Sequence, residues 1–253
     1  YQGIGSSTYY PLFGPYDSQD EGLIGAHIAL AKASGIDGFI SSWWGIDTFE
    51  DRSLKRIMNI ANGLGFSITI YYESVREMDQ NQVVSELSYV LRNYANEPSF
   101  LKIEGRPVIF LYAIQAYYRD ARFWQQVVGR VKESTNTDVL FIADTTDVSF
   151  RNVFDAFHKY IPIWGNGTHV WETLYENADK AREARFHGRI SVTTVYPGND
   201  DRKVRKPGTY FDREDGGRYD STWISAIDSY PDMVLICSWN EWHEGTNIEL
   251  SLI

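Results

Sequence analysis

Two glutamates lie three residues apart near the carboxyl end of the chain, in a segment rich in tryptophan. Glu241 and Glu244 belong to the run Trp-Asn-Glu-Trp-His-Glu-Gly-Thr at 239–246, which directly follows the apolar run 233–237. Carboxylates beside aromatic walls are costly, because desolvation raises their pKa and like charges repel. Perturbed carboxyl groups of this kind are common at catalytic sites. The segment therefore predicts acid–base chemistry, and cleavage of a glycosidic bond is a reaction that needs two such groups.

Residue chemistry leaves three other interpretations of this segment to weigh. In the first, Glu241 ends a strand and Glu244 opens a turn, with both carboxylates solvated. In the second, His243-Glu244 begins a zinc-protease motif, but position 247 carries Asn in place of the second histidine, which leaves too few ligands. In the third, a serine or cysteine is the nucleophile, but the sequence has no G-x-S-x-G and Cys237 lies inside the apolar run. We therefore predict a site without a metal or a cofactor.

Short apolar runs alternate with helix-periodic segments along the whole chain, which is typical of repeated βα units. Eight strands are predicted, at residues 6–10, 37–43, 67–73, 107–112, 139–144, 160–164, 190–196 and 233–239. Seven helices are predicted between them, at residues 20–34, 50–64, 81–96, 120–135, 150–159, 171–186 and 221–230. The first βα turn has no G-x-G-x-x-G, which disfavours an open nucleotide-binding sheet. We predict an α/β fold, a (β/α)8 TIM barrel that forms a single domain over residues 1–253.

In barrels of this kind, catalytic groups lie at the carboxyl ends of the strands. Almost every predicted strand ends at an acidic or an aromatic residue. These residues are Tyr10 with the nearby Asp17, Trp43, Trp44, Glu73, Tyr112, Asp144, Trp164, Tyr196, Asn240, Glu241 and Glu244. Aromatic rings suit the apolar faces of sugars, and carboxylates accept hydrogen bonds from sugar hydroxyls. The pattern therefore predicts a carbohydrate site.

The segment from Gly198 to Gly217 is glycine-rich and charged, and it is the only long stretch without a helical or strand pattern. It follows the seventh predicted strand. Two interpretations stay open: a mobile βα loop over the site, or a plain solvated excursion.

The composition excludes some partners. The chain has 34 acidic and 24 basic residues and a net charge of -10, whereas nucleic acid needs a basic face. No apolar run reaches about 18 residues, so no membrane span is predicted. Tyr1 in place of Met is compatible with a processed N-terminus, and the location stays undetermined, although a glycan substrate favours a secreted or periplasmic protein. We expect a monomer.

The run 239–249 resembles the signature of glycoside hydrolase family 99, the endo-α-mannosidase and endo-α-mannanase family. Other segments agree in order, namely Tyr10-Pro11, Tyr16-Asp17-Ser18, Ala31-Lys32, Gly35-Ile36-Asp37-Gly38-Phe39, Ser42-Trp43-Trp44-Gly45 and Gly105-Arg106-Pro107-Val108. The resemblance covers essentially the whole chain. It implies a (β/α)8 barrel that cleaves α-mannosidic linkages inside oligo- or polysaccharides with retention and without a metal.

The resemblance also implies residue roles. In this family the 2-hydroxyl of the substrate is the nucleophile and gives a 1,2-anhydro sugar, which differs from the scheme of two carboxylates with a covalent enzyme intermediate. Glu241 would be the base toward that hydroxyl, and Glu244 the acid for the leaving group and then the base for water. Asn240 is similar to a family contact with the sugar, and Tyr112 and Tyr196 are looser matches. Together with the strand ends and the glutamate segment, this predicts a substrate-binding set of Tyr10, Asp17, Trp43, Trp44, Glu73, Tyr112, Tyr196, Asn240, Trp242 and His243. The alternative is a non-hydrolytic glycan-binding or glycan-biosynthesis-associated barrel of the same family.

Overall fold

The structure, a computed structural model, describes residues 4–161, 179, 182–184, 186 and 188–252. Its strands and helices, in chain order, are β1 (Tyr10–Pro11), α1 (Glu21–Ala33), β2 (Gly38–Trp43), α2 (Phe49–Leu64), β3 (Ser67–Glu73), α3 (Gln80–Tyr94), β4 (Lys102–Ile103), β5 (Arg106–Tyr112), α4 (Ala121–Thr135), β6 (Leu140–Asp144), β7 (Ala156–His158), β8 (Val192–Val195), β9 (Asn199–Asp200), β10 (Tyr210–Phe211), α5 (Gly217–Asp228), β11 (Met233–Ile236) and β12 (Ser251–Leu252). Two compact units contain these elements: a first unit, Asp17–Phe157, and a second unit that combines Tyr1–Tyr16 with His158–Ile253.

The first unit contains a parallel sheet with the strand order β2-β3-β5-β6-β7. Neighbouring strands β2 and β3, β3 and β5, and β5 and β6 pair in parallel, and helices α2, α3 and α4 lie between them in the chain. The middle of β5 is fully buried, from Val108 to Leu111. Near-continuous apolar strands of this kind are expected where a parallel sheet is covered on both faces.

Polar side chains fix where the helices of the first unit begin. Asp20, Thr48, Asp79 and Asp120 are the N-caps of α1 to α4, and each side chain accepts a hydrogen bond from the backbone N–H three residues further on. Such caps satisfy N–H groups that have no partner within the helix. Helix α2 ends at Gly65, whose φ of 59° is the left-handed conformation that glycine adopts without strain.

The second unit contains three two-stranded sheets. Strands β8 and β11 pair in parallel, from Val192 opposite Met233 to Val195 opposite Ile236, and α5 packs beside β8. Strand β1 pairs antiparallel with β12, and β9 pairs antiparallel with β10. Strand β11 leads directly into the segment that carries the two glutamates, as predicted.

The predicted helix at 150–159 is wrong. A 3-10 turn covers Val148–Phe150, and β7 spans Ala156–His158. Phe154, Ala156 and His158 are buried, whereas the residues between them are less so, which is the two-residue period of a strand. An apolar run this short fits both the helical and the strand period. Here the segment forms a strand because it pairs with the sheet.

The predicted strand at 6–10 is also wrong. A 3-10 turn covers Ile4–Ser6, and the strand that follows begins only at Tyr10 and pairs antiparallel with β12. The predicted strand at 160–164 begins at Tyr160 and Ile161, which form a bend. Its remaining residues, and most of the predicted helix at 171–186, lie outside the described residues.

The segment 198–217 has more order than either sequence interpretation expects. It contains the β9–β10 hairpin, which comprises residues 199–211. Asn199, Asp200 and Asp201 at its start are all buried. Buried acidic groups need partners, and the hairpin supplies them from its own arginines.

Candidate active site

The two glutamates lie on a loop, residues 239–249, that is closed by hydrogen bonds at its base. The Ser238 N–H donates to the Thr246 carbonyl at 3.0 Å, and the Ile248 N–H donates to the Ser238 carbonyl at 2.9 Å. The hydroxyls of Ser238 and Thr246 are 2.7 Å apart and form a buried hydrogen bond. We refer to residues 239–249 as the acidic loop. Its closed base fixes the backbone from which both carboxylates extend.

Glu241 is accessible to solvent although many protein atoms surround it. Its N–H donates to the Ser238 hydroxyl at 3.0 Å. The surrounding protein displaces bulk water, and this desolvation, followed by the charge of Glu244, raises the pKa of Glu241. The positive charges of His243 and Arg205 oppose the rise. A carboxylate with a raised pKa is a stronger proton acceptor than an ordinary glutamate, which suits a general base.

Glu244 has a different environment, because both of its carboxylate oxygens have protein partners. The Arg205 Nη2 atom lies 2.8 Å from Oε1 of Glu244, whose side chain is 15% exposed. The Tyr160 hydroxyl donates to Oε2 at 3.2 Å. Burial raises the pKa of Tyr160 far above its usual range, so that its hydroxyl stays a hydrogen-bond donor. Glu244 is therefore held by one cation and one neutral donor.

Tyr16 connects three residues of the acidic loop. Its hydroxyl donates to Oε2 of Glu249 at 2.7 Å. The same hydroxyl accepts from the indole N–H of Trp242 at 3.0 Å and from Nδ2 of Asn240 at 3.3 Å. Glu249 is buried, and burial also raises the pKa of Tyr16. This cluster orients the amide of Asn240 and the ring of Trp242.

Sequence reasoning misses four of these residues: Tyr16, Tyr160, Arg205 and Glu249. Tyr16 and Glu249 do lie in segments that carry the family resemblance, one beside Asp17 and the other at the end of the loop. Their spacing in the sequence, 233 residues, hides the contact. No pattern in the sequence singles out Arg205 among the cations of its segment.

Two predicted substrate contacts outside the loop belong to the second unit as well. Tyr196 is fully buried, its hydroxyl donates to Asn199, and it packs with Phe211. In this structure it supports the β9–β10 hairpin and offers no surface to a substrate. Tyr10 is 38% exposed and lies opposite Leu252 in the β1–β12 pair.

The first unit contains Asp17, Trp43, Trp44, Glu73 and Tyr112. Trp43 has no exposed surface, and its indole N–H donates to the buried carboxylate of Asp51 at 3.0 Å. The sequence predicts a substrate contact for Trp43, but its contacts in the structure are those of a core residue. Trp44, which follows it, is 36% exposed.

Of the other three residues of this set, two end strands of the sheet and Asp17 lies in the loop before α1. Glu73 and Tyr112 face each other as the last residues of the paired strands β3 and β5. Glu73 is buried and accepts a hydrogen bond from the Ser42 hydroxyl. The exposed Asp17 accepts from the Gln19 N–H at 2.9 Å. The carboxyl end of the first unit's sheet is therefore polar and aromatic, as predicted.

Within the part of the chain that the structure describes, no three side chains of His, Cys, Asp or Glu form a group that could hold a metal ion. That the site needs no metal stays a prediction. No helix among the described residues is both long and apolar enough to cross a lipid bilayer.

Residues 2–253 match the family described as Glycosyl hydrolase family 99. The glycoprotein endo-alpha-1,2-mannosidase of Mus musculus is 25% identical over 270 residues, which are 97% of this chain and 57% of that protein. The protein of the same name from Xenopus laevis is 24% identical, over 97% of this chain and 59% of that protein. The chain thus spans less than two thirds of the length of these relatives.

Comparison with solved structures also matches the chain to a GH99 protein. The GH99 endo-alpha-mannosidase from Bacteroides thetaiotaomicron superimposes with a TM-score of 0.87 and 26% identity, covering 98% of this chain and 75% of that one. A "glycoside hydrolase-like protein" with 17% identity, a TM-score of 0.73 and coverage of 96% and 82% shares the fold. The match to the Bacteroides enzyme confirms the predicted fold class, a (β/α)8 barrel.

Proposed function

Because the chain belongs to glycosyl hydrolase family 99, we propose that it is a retaining glycoside hydrolase that cleaves α-mannosidic linkages within glycans. The relatives named endo-alpha-1,2-mannosidase support this substrate class. The observation that carries the proposal is the acidic loop, where Glu241 and Glu244 occupy two different environments on one closed segment. Two carboxyl groups with distinct surroundings suit two distinct proton-transfer roles.

In the proposed reaction, Glu241 takes the proton of the substrate's 2-hydroxyl. The 2-oxygen attacks the anomeric carbon, the glycosidic C–O bond breaks, and Glu244 gives its proton to the departing oxygen. A 1,2-anhydro sugar results. Water then adds to the anomeric carbon as Glu244 takes a proton from it, and Glu241 returns its proton to the 2-oxygen. Two displacements at the same carbon give net retention.

The surroundings of each carboxylate support these roles. The raised pKa of Glu241 brings its proton affinity closer to that of a useful general base. Asn240 and His243, which are exposed on the same loop, are proposed to bind sugar hydroxyls. Trp242 and Tyr16 keep the Asn240 amide oriented.

Removing either carboxyl group should abolish most turnover. General acid–base groups contribute about 10²–10⁴-fold, so Glu241→Gln and Glu244→Gln are each expected to lower kcat/KM on an α-mannan by a factor in that range. The measurement is the rate at which new reducing ends form, across a panel of α-mannosides and α-glucosides. The control is Glu133→Gln, an exposed glutamate on α4.

Three results of this experiment separate the alternatives. Parental rates in both acidic-loop variants would contradict the catalytic assignment. Tight binding of an α-mannoside by the parent protein, with no turnover on any substrate of the panel, would favour the glycan-binding alternative. Turnover of α-glucosides alone would keep the mechanism but overturn the proposed sugar.

A further inference from the structure

Arg205 contacts the carboxylate of Glu244, and it is the charged side chain of the β9–β10 hairpin that reaches this group. Its Nη2 atom donates to Oε1 of Glu244 at 2.8 Å. Roughly half of the Arg205 side chain is exposed, whereas Glu244 is 15% exposed. An ion pair that is partly shielded from water is stronger than one on an open surface. The contact is therefore expected to hold the Glu244 carboxylate in a fixed orientation.

The hairpin itself holds the Arg205 guanidinium in place. Nη1 of Arg205 donates to Oδ2 of Asp201 at 2.7 Å, while Nη2 points to Glu244. Asp201 is buried and accepts a second hydrogen bond from the Thr209 N–H. A planar guanidinium with two anchored N–H groups has a fixed orientation, which a lysine ammonium lacks.

Main-chain contacts tie the same hairpin to the acidic loop. The Asp200 N–H donates to the Glu244 carbonyl at 2.9 Å. A Cβ atom at Gly245 would lie 2.8 Å from the Asp200 nitrogen, so this approach requires glycine. Arg213, just after the hairpin, donates to the carbonyls of Gly245 and Asn247 at 2.9 and 2.6 Å. Backbone and side chain of Glu244 are thus both positioned by this part of the chain.

From this geometry we infer that Arg205 is a positioning residue for the proposed reaction: it holds Oε1 of Glu244 and leaves Oε2, beside the Tyr160 hydroxyl, as the oxygen that exchanges the proton. The inference rests on the proposed role of Glu244.

Other charged and titratable groups lie near Glu244 and its partner Arg205. Among the described residues they are Glu241 on the acidic loop, Tyr160 after β7, Tyr196 after β8, Cys237 after β11 and the buried Asp201, which accepts from Arg205. Burial raises the pKa of Tyr160, Tyr196 and Cys237, so these three stay neutral near pH 7. Arg205 is therefore the permanent cation in this group.

Replacement of Arg205 should lower kcat and leave KM nearly unchanged. In Arg205→Gln and Arg205→Met the side chain of Glu244 loses the contact that fixes its Oε1, while the residues proposed to bind the sugar stay in place. Loss of the fixed geometry is therefore expected to lower kcat about tenfold or more with little change in KM.

The hairpin offers a matched control in Arg202. It is as exposed as Arg205 and binds Asp200 through Nε and Nη2, at 2.7 and 2.9 Å. Arg202→Gln should keep the parental kcat and KM. Arg205→Lys retains a positive charge but lacks the planar guanidinium with its two anchored N–H groups, so its kcat should fall while KM stays nearly unchanged.

The possible results distinguish this inference from the proposed function. A parental kcat in Arg205→Gln or Arg205→Met, while Glu244→Gln is inactive, would overturn the inference and leave the function standing. If the two neutral variants do not fold, as judged by thermal unfolding, Arg205→Lys decides, because raised KM with unchanged kcat would contradict a positioning role. A parental rate in Glu244→Gln would overturn the proposed function instead.

Discussion

Glu241 and Glu244 are only three residues apart, but the protein gives them different surroundings. Desolvation, followed by the charge of Glu244, raises the pKa of Glu241, and the positive charges of His243 and Arg205 oppose the rise. Glu244 receives hydrogen bonds from Arg205 and Tyr160. At the residue scale, the proposed proton transfers depend on these different surroundings more than on the mere presence of two acids.

The raised pKa of Glu241 predicts a measurable effect on stability. A carboxyl group whose pKa is higher in the folded than in the unfolded state favours folding only while it is protonated. That contribution is complete below the unfolded value, about 4.3, and is lost as the pH rises through the folded value. Glu241→Gln, which never ionises, should therefore unfold at a higher temperature than the parent protein at pH 7.

The difference between the two proteins should disappear as the pH falls toward 4. Thermal unfolding followed by circular dichroism from pH 3.5 to 8 measures it, with Glu133→Gln as the control. A Glu241→Gln protein that is equally or less stable than the parent at pH 7 would contradict the raised pKa. The prediction needs no substrate, so it tests the electrostatics of the loop independently of activity.

At the scale of elements, the acidic loop depends on the hairpin beside it. Gly245 has a φ of +66°, and a Cβ there would lie 2.8 Å from the Asp200 nitrogen. Gly245→Ala is therefore expected to lower the free energy of unfolding by about 1–3 kcal/mol and to reduce turnover, because the contact between hairpin and loop must open.

The control for this change is a glycine with room for a side chain. Gly129 lies inside α4, and a Cβ at this position meets no atom within 4 Å. Gly129→Ala should stabilise the protein by about 0.5–1 kcal/mol, since glycine inside a helix is unfavourable. Chemical denaturation measures the free energy of unfolding of both variants. A Gly245→Ala protein as stable as the parent would show that the close approach of Gly245 to Asp200 is not needed.

Elements with a long and regular pattern are the ones that sequence predicts. The strands that begin at Gly38, Ser67 and Arg106 match their predicted positions closely, because their residues are apolar and their helices have clear caps. The region around Ala156 is predicted as a helix and is a strand, since its short apolar run has no defined period without the neighbouring sheet. Buried acids and arginines, rather than apolar residues, stabilise the β9–β10 hairpin. Its sequence therefore has no alternating apolar pattern that would predict strands.

The same distinction applies to the candidate site. Glu241, Glu244 and Asn240 follow from one contiguous motif, which sequence shows directly. Tyr16 and Arg205 reach the loop from distant positions, so only the fold reveals them. Burial is equally invisible in sequence, and this is why Trp43 and Tyr196 are expected to contact the substrate although neither has exposed surface in the structure.

At the scale of the whole molecule, the match to glycosyl hydrolase family 99 extends over residues 2–253 and therefore includes residues of both units. That the chain forms a single domain stays a prediction. The net charge of -10 fits a neutral glycan better than a polyanion. The central claim is that Glu241 and Glu244 of the acidic loop catalyse the hydrolysis of α-mannosidic linkages with retention of configuration.

Proton NMR of the anomeric region during hydrolysis of an α-mannan tests that claim most directly. The claim predicts that the first new reducing ends are α anomers, which appear before mutarotation and are nearly absent with Glu241→Gln at the same protein concentration. Reducing ends that form first as β anomers would contradict it, because inversion is incompatible with two successive displacements at one carbon.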